Sequence, residues 1–337
     1  MLRIFSLGLI FSYLTLNAFL AFSAELNIYS HRQPFLINPF LKEFEKASGA
    51  RVNVVFADKG LVQRLLAEGE RSPADVVLAA DIARLDAYSK NGLFARVVSE
   101  KLQKNIPPSF RDPRNRWFGF SIRARVLVSS KDRVKIGEIL RIEDLANPNW
   151  KGRVCTRAGS HVYNRALLAS IIAANGHGAA EKWARGLVSN LARRPQGNDR
   201  AQAKAIYEGV CDIAIINSYY FGYMKNSNKS DQRQWADALR VVFTNQGDRG
   251  NHVNISGGGV ARYSKNRRLA IQFLEFLTEP QAQKTYGETN YEFPVNPSAS
   301  PGAEVKSWGD FRKDTLPIEK IADLAPAAQK IIDRVGW

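Results

Sequence analysis

Between residues 25 and 93, short apolar runs alternate with amphipathic ones. ELNIYS is followed by PFLINPFLKEFEKASG, RVNVVFA by LVQRLLAEGE, and ADVVLAAD by IARLDAYSKNGL. In each pair the first run is predicted as a strand. The second places its apolar residues three and four apart, as a helix does. Strands that are apolar along their length must be covered on both faces. Helices following each strand do this, which predicts an α/β chain with a mostly parallel sheet.

The same logic carries through the rest of the chain. RWFGFSIRARVLVSS predicts a long strand with Arg123 and Arg125 on one face, because strand side chains repeat every two residues. RVCTR and VCDIAII predict two further strands. VYNRALLASIIAANG and GAAEKWARGLVSNLARR predict two separate helices, DRAQAKAIYEG a third, and RRLAIQFLEFLTEPQAQKTYG a helical stretch around Pro280. A length of 337 residues accommodates two domains of ordinary size.

Residues 1–24, MLRIFSLGLIFSYLTLNAFLAFSA, have Arg3, then an apolar stretch, then the small residues Ala21, Ser23 and Ala24. They read as a secretory signal peptide cleaved near Ala24, with an uncleaved membrane anchor as the alternative. Cys155 and Cys211 then face an oxidising compartment, where one disulfide between them and two buried free thiols both fit the sequence. No signature of a cysteine nucleophile surrounds either one. The net charge of +16 raises nucleic acid as a partner. However, the basic residues are scattered in short groups and no nucleic-acid-binding motif accompanies them, so none is expected.

Two strand-to-helix junctions repeat one pattern. RVCTRAGSHVYNRALLAS and GVCDIAIINSYYFGYMKN each run from a cysteine-bearing apolar strand through a polar cap into a helix with tyrosine in its first turn. The expected caps are Ser160 in the first and Asn217 or Ser218 in the second. Ligands of open α/β sheets bind beyond the carboxyl ends of the strands, where helix N-termini present free N–H groups. Tyr163, Tyr219 and Tyr220 therefore belong at a binding edge, while Tyr223, one turn further on, reads as packing. Phenols are neutral near pH 7, but a hard, highly charged cation takes the phenolate. Fe(III) best justifies several of them and leaves positions for an oxygen anion.

NIYSHRQP, SPADVVLAADIARL, WFGFSIRARVLV, IEDLANPNWKGRV, GSHVYNR, INSYYFGYM, NISGGGVA and FLTEPQAQKTYGETNYEFPVNP together resemble the ferric-iron-binding proteins of periplasmic ABC importers, a branch of the type II solute-binding proteins. The resemblance covers nearly all of the chain after residue 24. It implies two α/β lobes with a ligand cleft between them, joined by strands crossing near residues 123–127 and 243–254. The lobes would comprise 25–123 plus 250–297, and 124–249 plus 298–337. It implies Tyr163, Tyr219 and Tyr220 as phenolate ligands. Many members place a His-Tyr pair where this chain has Gln33 and Pro34, and His31 sits at a variable position beside them. This departure resembles a subgroup in which three tyrosines bind iron with a small synergistic anion such as carbonate or bicarbonate. Arg32 and Arg125, with Arg123 third, are then the anion-holding candidates. The resemblance also implies an exported, periplasmic, monomeric protein without catalytic activity, whose partner is an ABC-type permease of the inner membrane. An organic solute such as a polyamine, thiamine or a phosphorylated compound is the alternative ligand.

Overall fold

The computed structural model describes residues 24–337, so the expected signal peptide lies, but for Ala24, outside the described residues. In chain order the elements are β1 (Glu25–Ser30), α1 (Pro34–Ser48), β2 (Arg51–Phe56), α2 (Leu61–Glu68), β3 (Val76–Ala79), α3 (Ile82–Lys90), α4 (Glu100–Asn105), β4 (Phe118–Ser130), β5 (Val154–Cys155), α5 (Val162–Ser189) and α6 (Asp199–Tyr207). They continue with β6 (Ile213–Asn217), α7 (Ser218–Lys225), α8 (Ser230–Asp237), β7 (Leu239–Val242), β8 (Val253–Val260), α9 (Arg267–Phe276), α10 (Pro280–Asn290), β9 (Phe293–Pro294), α11 (Ala303–Lys306) and α12 (Ile318–Val335). Among the described residues no helix is long and apolar enough to cross a membrane.

Local chemistry accounts for most boundaries. α1 starts with Pro34 in its first turn, where a missing N–H costs nothing, and stops at Gly49, whose φ of 69° suits a residue without a Cβ. Between them Ile37, Phe40, Leu41 and Phe44 form the buried stripe. Pro280 separates α9 from α10 by starting the second. The two helices expected on either side of residue 176 are both present: α5 is two helical segments separated at Gly176, whose φ of 80° and ψ of 166° are not helical.

The sheet runs β2-β1-β3-β8-β4-β6-β5, with β7 and β9 also pairing with β4. β1 is parallel to both β2 and β3, and β5 is parallel to β6. The pairings of β3 with β8, and of β4 with β6, β7, β8 and β9, are all antiparallel. The sheet is thus mixed, not mostly parallel. The cause is β4, whose thirteen residues are all buried. Its first half pairs with β8 in one lobe and its second half with β6 and β7 in the other. A strand shared between two lobes is not enclosed in a strand–helix–strand unit, so nothing forces it parallel to its neighbours. The result is a two-lobed α/β architecture in which β4 runs from one lobe into the other.

The run Gly257–Gly258–Gly259 lies in the middle of β8. A Cβ at these positions would strike the carbonyl oxygens of Phe118, Val77 and Arg116, respectively. The glycines let β8 fit tightly between β3 and β4, which explains a triplet that no turn requires. In the other lobe Cys155 and Cys211 form a disulfide with a Cα–Cα distance of 5.9 Å, and no described cysteine is free. α12 packs on α5 and on α3, so it touches both lobes.

Candidate metal centre

The two matching junctions lie side by side because β5 and β6 are adjacent and parallel. α5 leaves the first and α7 the second, so their opening turns face the same space. The α5 cap is His161, not Ser160: its Nδ1 accepts from the Tyr163 N–H at 3.3 Å, and its ring meets that of Tyr163 edge-on at 4.4 Å. Burial, with the positive charges of Arg157 and Arg125 nearby, lowers the His161 pKa to about 4, so the imidazole is neutral at physiological pH. Asn217 is the α7 cap by backbone conformation, but its side chain makes no capping bond. It donates to Tyr219 Oη instead, at 3.3 Å.

Tyr163, Tyr219 and Tyr220 therefore converge. Tyr219 Oη donates to Tyr163 Oη at 3.1 Å, and the Tyr219 and Tyr220 rings lie 4.5 Å apart. All three are half-buried in one wall of a cleft of about 550 Å³. Burial holds the Tyr219 pKa well above the usual phenol value, and the crowding of Tyr163 and Tyr220 adds to it. Tyr220 is raised by burial first and by Tyr163 second. Clustered phenols resist ionising together unless a cation gathers the charge. Among the described residues no group of three or more His, Cys, Asp or Glu side chains is placed to hold a metal ion.

The three arginines expected to hold an anion are all already engaged. Arg32 is 4% exposed and pairs with Glu292 at 3.1 Å, and it also bonds Ser256 Oγ. Glu292 accepts a further hydrogen bond from Ser121 Oγ. Arg123 lines the cleft but donates to the carbonyls of Ala80 and, at 2.9 Å, Ile255. Arg125 lies beneath the tyrosines and donates to Asp199 at 2.6 Å, Asn164 at 2.6 Å and Asn217 at 3.2 Å. His31 lines the cleft with both ring nitrogens occupied, Nδ1 at 2.8 Å from the Ala57 carbonyl and Nε2 at 2.7 Å from Tyr88 Oη.

Sequence reasoning missed three side chains of this cleft. Tyr223, read as packing, lines it with a buried hydroxyl that has no hydrogen-bond partner among the described residues. Burial and the nearby Glu292 carboxylate raise its pKa. Arg200 lies over the rings of Tyr220 and Tyr223, at 5.0 and 5.8 Å, and makes no ion pair among the described residues. Glu292 stands opposite, inside the motif YEFPVNP. For Tyr223 the helical spacing from Tyr219 and Tyr220 was the available signal. For Glu292 there was none, since its partner Arg32 lies 260 residues away.

Residues 71–311 match the family model described as bacterial extracellular solute-binding protein. A curated relative, iron uptake protein A1 of Synechocystis sp., is 41% identical over 93% of this chain and 87% of its own. The structure of Mannheimia haemolytica ferric iron-binding protein A in an open conformation superimposes with a TM-score of 0.89. It is 46% identical and covers 93% of this chain and 99% of that one. A Trichodesmium protein in complex with iron and citrate ligands gives a TM-score of 0.90 at 41% identity, covering 93% of this chain and all of that one.

Proposed function

This chain belongs to the bacterial extracellular solute-binding protein family, and from that premise we propose that it captures ferric iron in the cleft between its lobes. Tyr163, Tyr219 and Tyr220 supply the ligands as phenolates. The observation that carries this reading is the 3.1 Å approach of the Tyr219 and Tyr163 hydroxyls, which come from two separate helix starts to one point in the cleft. Oxygen-only, anionic donors suit a hard trivalent cation. Three phenolates balance its charge and leave room for a small anion such as carbonate or bicarbonate. Arg123 lacks an ion pair too but is held by two backbone carbonyls. Arg200, whose side chain has neither an ion pair nor a hydrogen bond among the described residues, therefore complements that anion more directly than Arg32, Arg123 or Arg125.

The relatives named for iron uptake and ferric binding support the same cargo. In this reading the protein acts in the periplasm as a monomer, without chemistry of its own. The lobes close about β4 and the segment that leads into β8, and the loaded protein hands its iron to an ABC-type permease of the inner membrane.

The test is spectroscopic. Metal-free protein titrated with Fe(III) nitrilotriacetate at neutral pH should develop an intense visible phenolate-to-iron band at one iron per chain. Tyr219→Phe combined with Tyr220→Phe should abolish it. A wild-type protein that stays colourless and keeps no iron overturns the reading.

A further inference from the structure

Asp199, the first residue of α6, is fully buried yet accepts hydrogen bonds from three directions. Oδ2 takes one from Arg125 at 2.6 Å and one from the backbone N–H of Asn217 at 2.8 Å; Oδ1 takes one from Arg157 at 3.1 Å. Arg125 extends the network to the neighbours of both tyrosine junctions. It donates to Asn164, adjacent to Tyr163, and to Asn217, two residues before Tyr219. Asn164, itself fully buried, donates to Thr156 Oγ1 at 3.1 Å and to the carbonyls of Arg157 and Ala158 at 3.0 and 3.2 Å. It thereby pins the turn that leads into α5. Asn217 passes the constraint on by donating to Tyr219 Oη. Arg125 and Arg157 also lie over the Tyr163 ring, at 5.8 and 5.3 Å.

A buried ion network is a poor stabilising device, because desolvating its charges offsets most of what their attraction contributes. What it does provide is direction: charged partners with several fixed hydrogen bonds admit few geometries. Here the fixed points are the residues flanking Tyr163 and Tyr219, which open two different helices beyond the ends of the paired strands β5 and β6.

We infer that Asp199 and Arg125 are positioning residues that hold the Tyr163 and Tyr219 hydroxyls at a separation one metal ion can bridge. This rests on the reading of those tyrosines as ferric ligands. It gives Arg125 a role other than binding the anion itself. Supports that orient metal ligands typically contribute about 10- to 100-fold in affinity.

The experiment uses the full mature chain titrated with Fe(III) nitrilotriacetate, reading the visible band and the iron retained against added citrate. Asp199→Asn keeps an acceptor oxygen but removes the charge that orients both arginines. The expected result is a folded protein, by circular dichroism and thermal midpoint, with a shifted, weaker band and about 10- to 100-fold lower affinity. Should Asp199→Asn fail to fold, Arg157→Gln, which leaves the Asp199–Arg125 pair intact, is expected to shift the band in the same direction by a smaller amount. A folded variant with the wild-type band and affinity overturns the inference. If wild-type protein itself takes no iron, the parent reading has failed, which the variant series then reports separately.

Discussion

The two walls of the cleft contrast in how they treat polar groups. On one, three tyrosines stand at helix starts, and the hydroxyls of Tyr163 and Tyr219 are bonded to each other. On the other, Arg32 and Ser121 both donate to Glu292, and His31 has both nitrogens bonded. In the proposed reading, the first wall exchanges its internal hydrogen bonds for a cation by losing protons. The second would have to break a buried ion pair to offer anything, leaving one charge stranded at a cost of several kcal/mol. The lesson is that a cleft lined by many charged residues can still present its chemistry from one side.

The contrast can be broken most forcefully with pH. The raised phenols of Tyr219 and Tyr220 are protonated at neutral pH, so each phenolate formed on binding expels a proton. Iron affinity must therefore rise with pH and fall on acidification, by roughly tenfold per unit for each proton displaced. Retention of Fe(III) measured from pH 8 down to pH 5 checks this, and a flat profile would place the ligands elsewhere.

Next in size is Tyr163→Phe. Loss of one ligand should lower affinity by more than about 100-fold, beyond what supporting residues contribute. The melting temperature of the metal-free protein should change little, because the residue is only half-buried. On the opposite wall the signs reverse. Glu292→Gln strands the Arg32 guanidinium and should cost about 3 kcal/mol in chemical denaturation, while the visible band of the iron-loaded protein keeps its position. A variant of wild-type stability that no longer takes iron would move Glu292 into the binding wall. The smallest effect is expected for His31→Gln. Losing its bonds to Ala57 and Tyr88 should cost about 1–2 kcal/mol of stability and leave iron binding unchanged.

Much of this was legible in the residues. The stripe of α1 and its Pro34 and Gly49 limits follow from spacing and cap chemistry, and the paired junctions follow from a strand, a polar cap and a first-turn tyrosine repeated twice. The strand directions were not legible, because β4 belongs to both lobes and its partners β6 and β8 lie far away in the chain. The α5 cap also differed from expectation, since the His161 ring reaches the Tyr163 N–H. Cys155 and Cys211 fitted both a bond and two thiols until β5 and β6 brought them together.

The sequence alone determined that this chain is α/β and that its tyrosines open two helices, because both follow from periodicity and caps acting over a few residues. Only the tertiary structure decided which arginines remain available. Arg32 finds Glu292 and Arg125 finds Asp199 across 260 and 74 positions of chain. A guanidinium facing solvent, a ligand or a carboxylate has the same neighbours in sequence. Charge pairing is decided through space, by whatever the fold brings within about 4 Å.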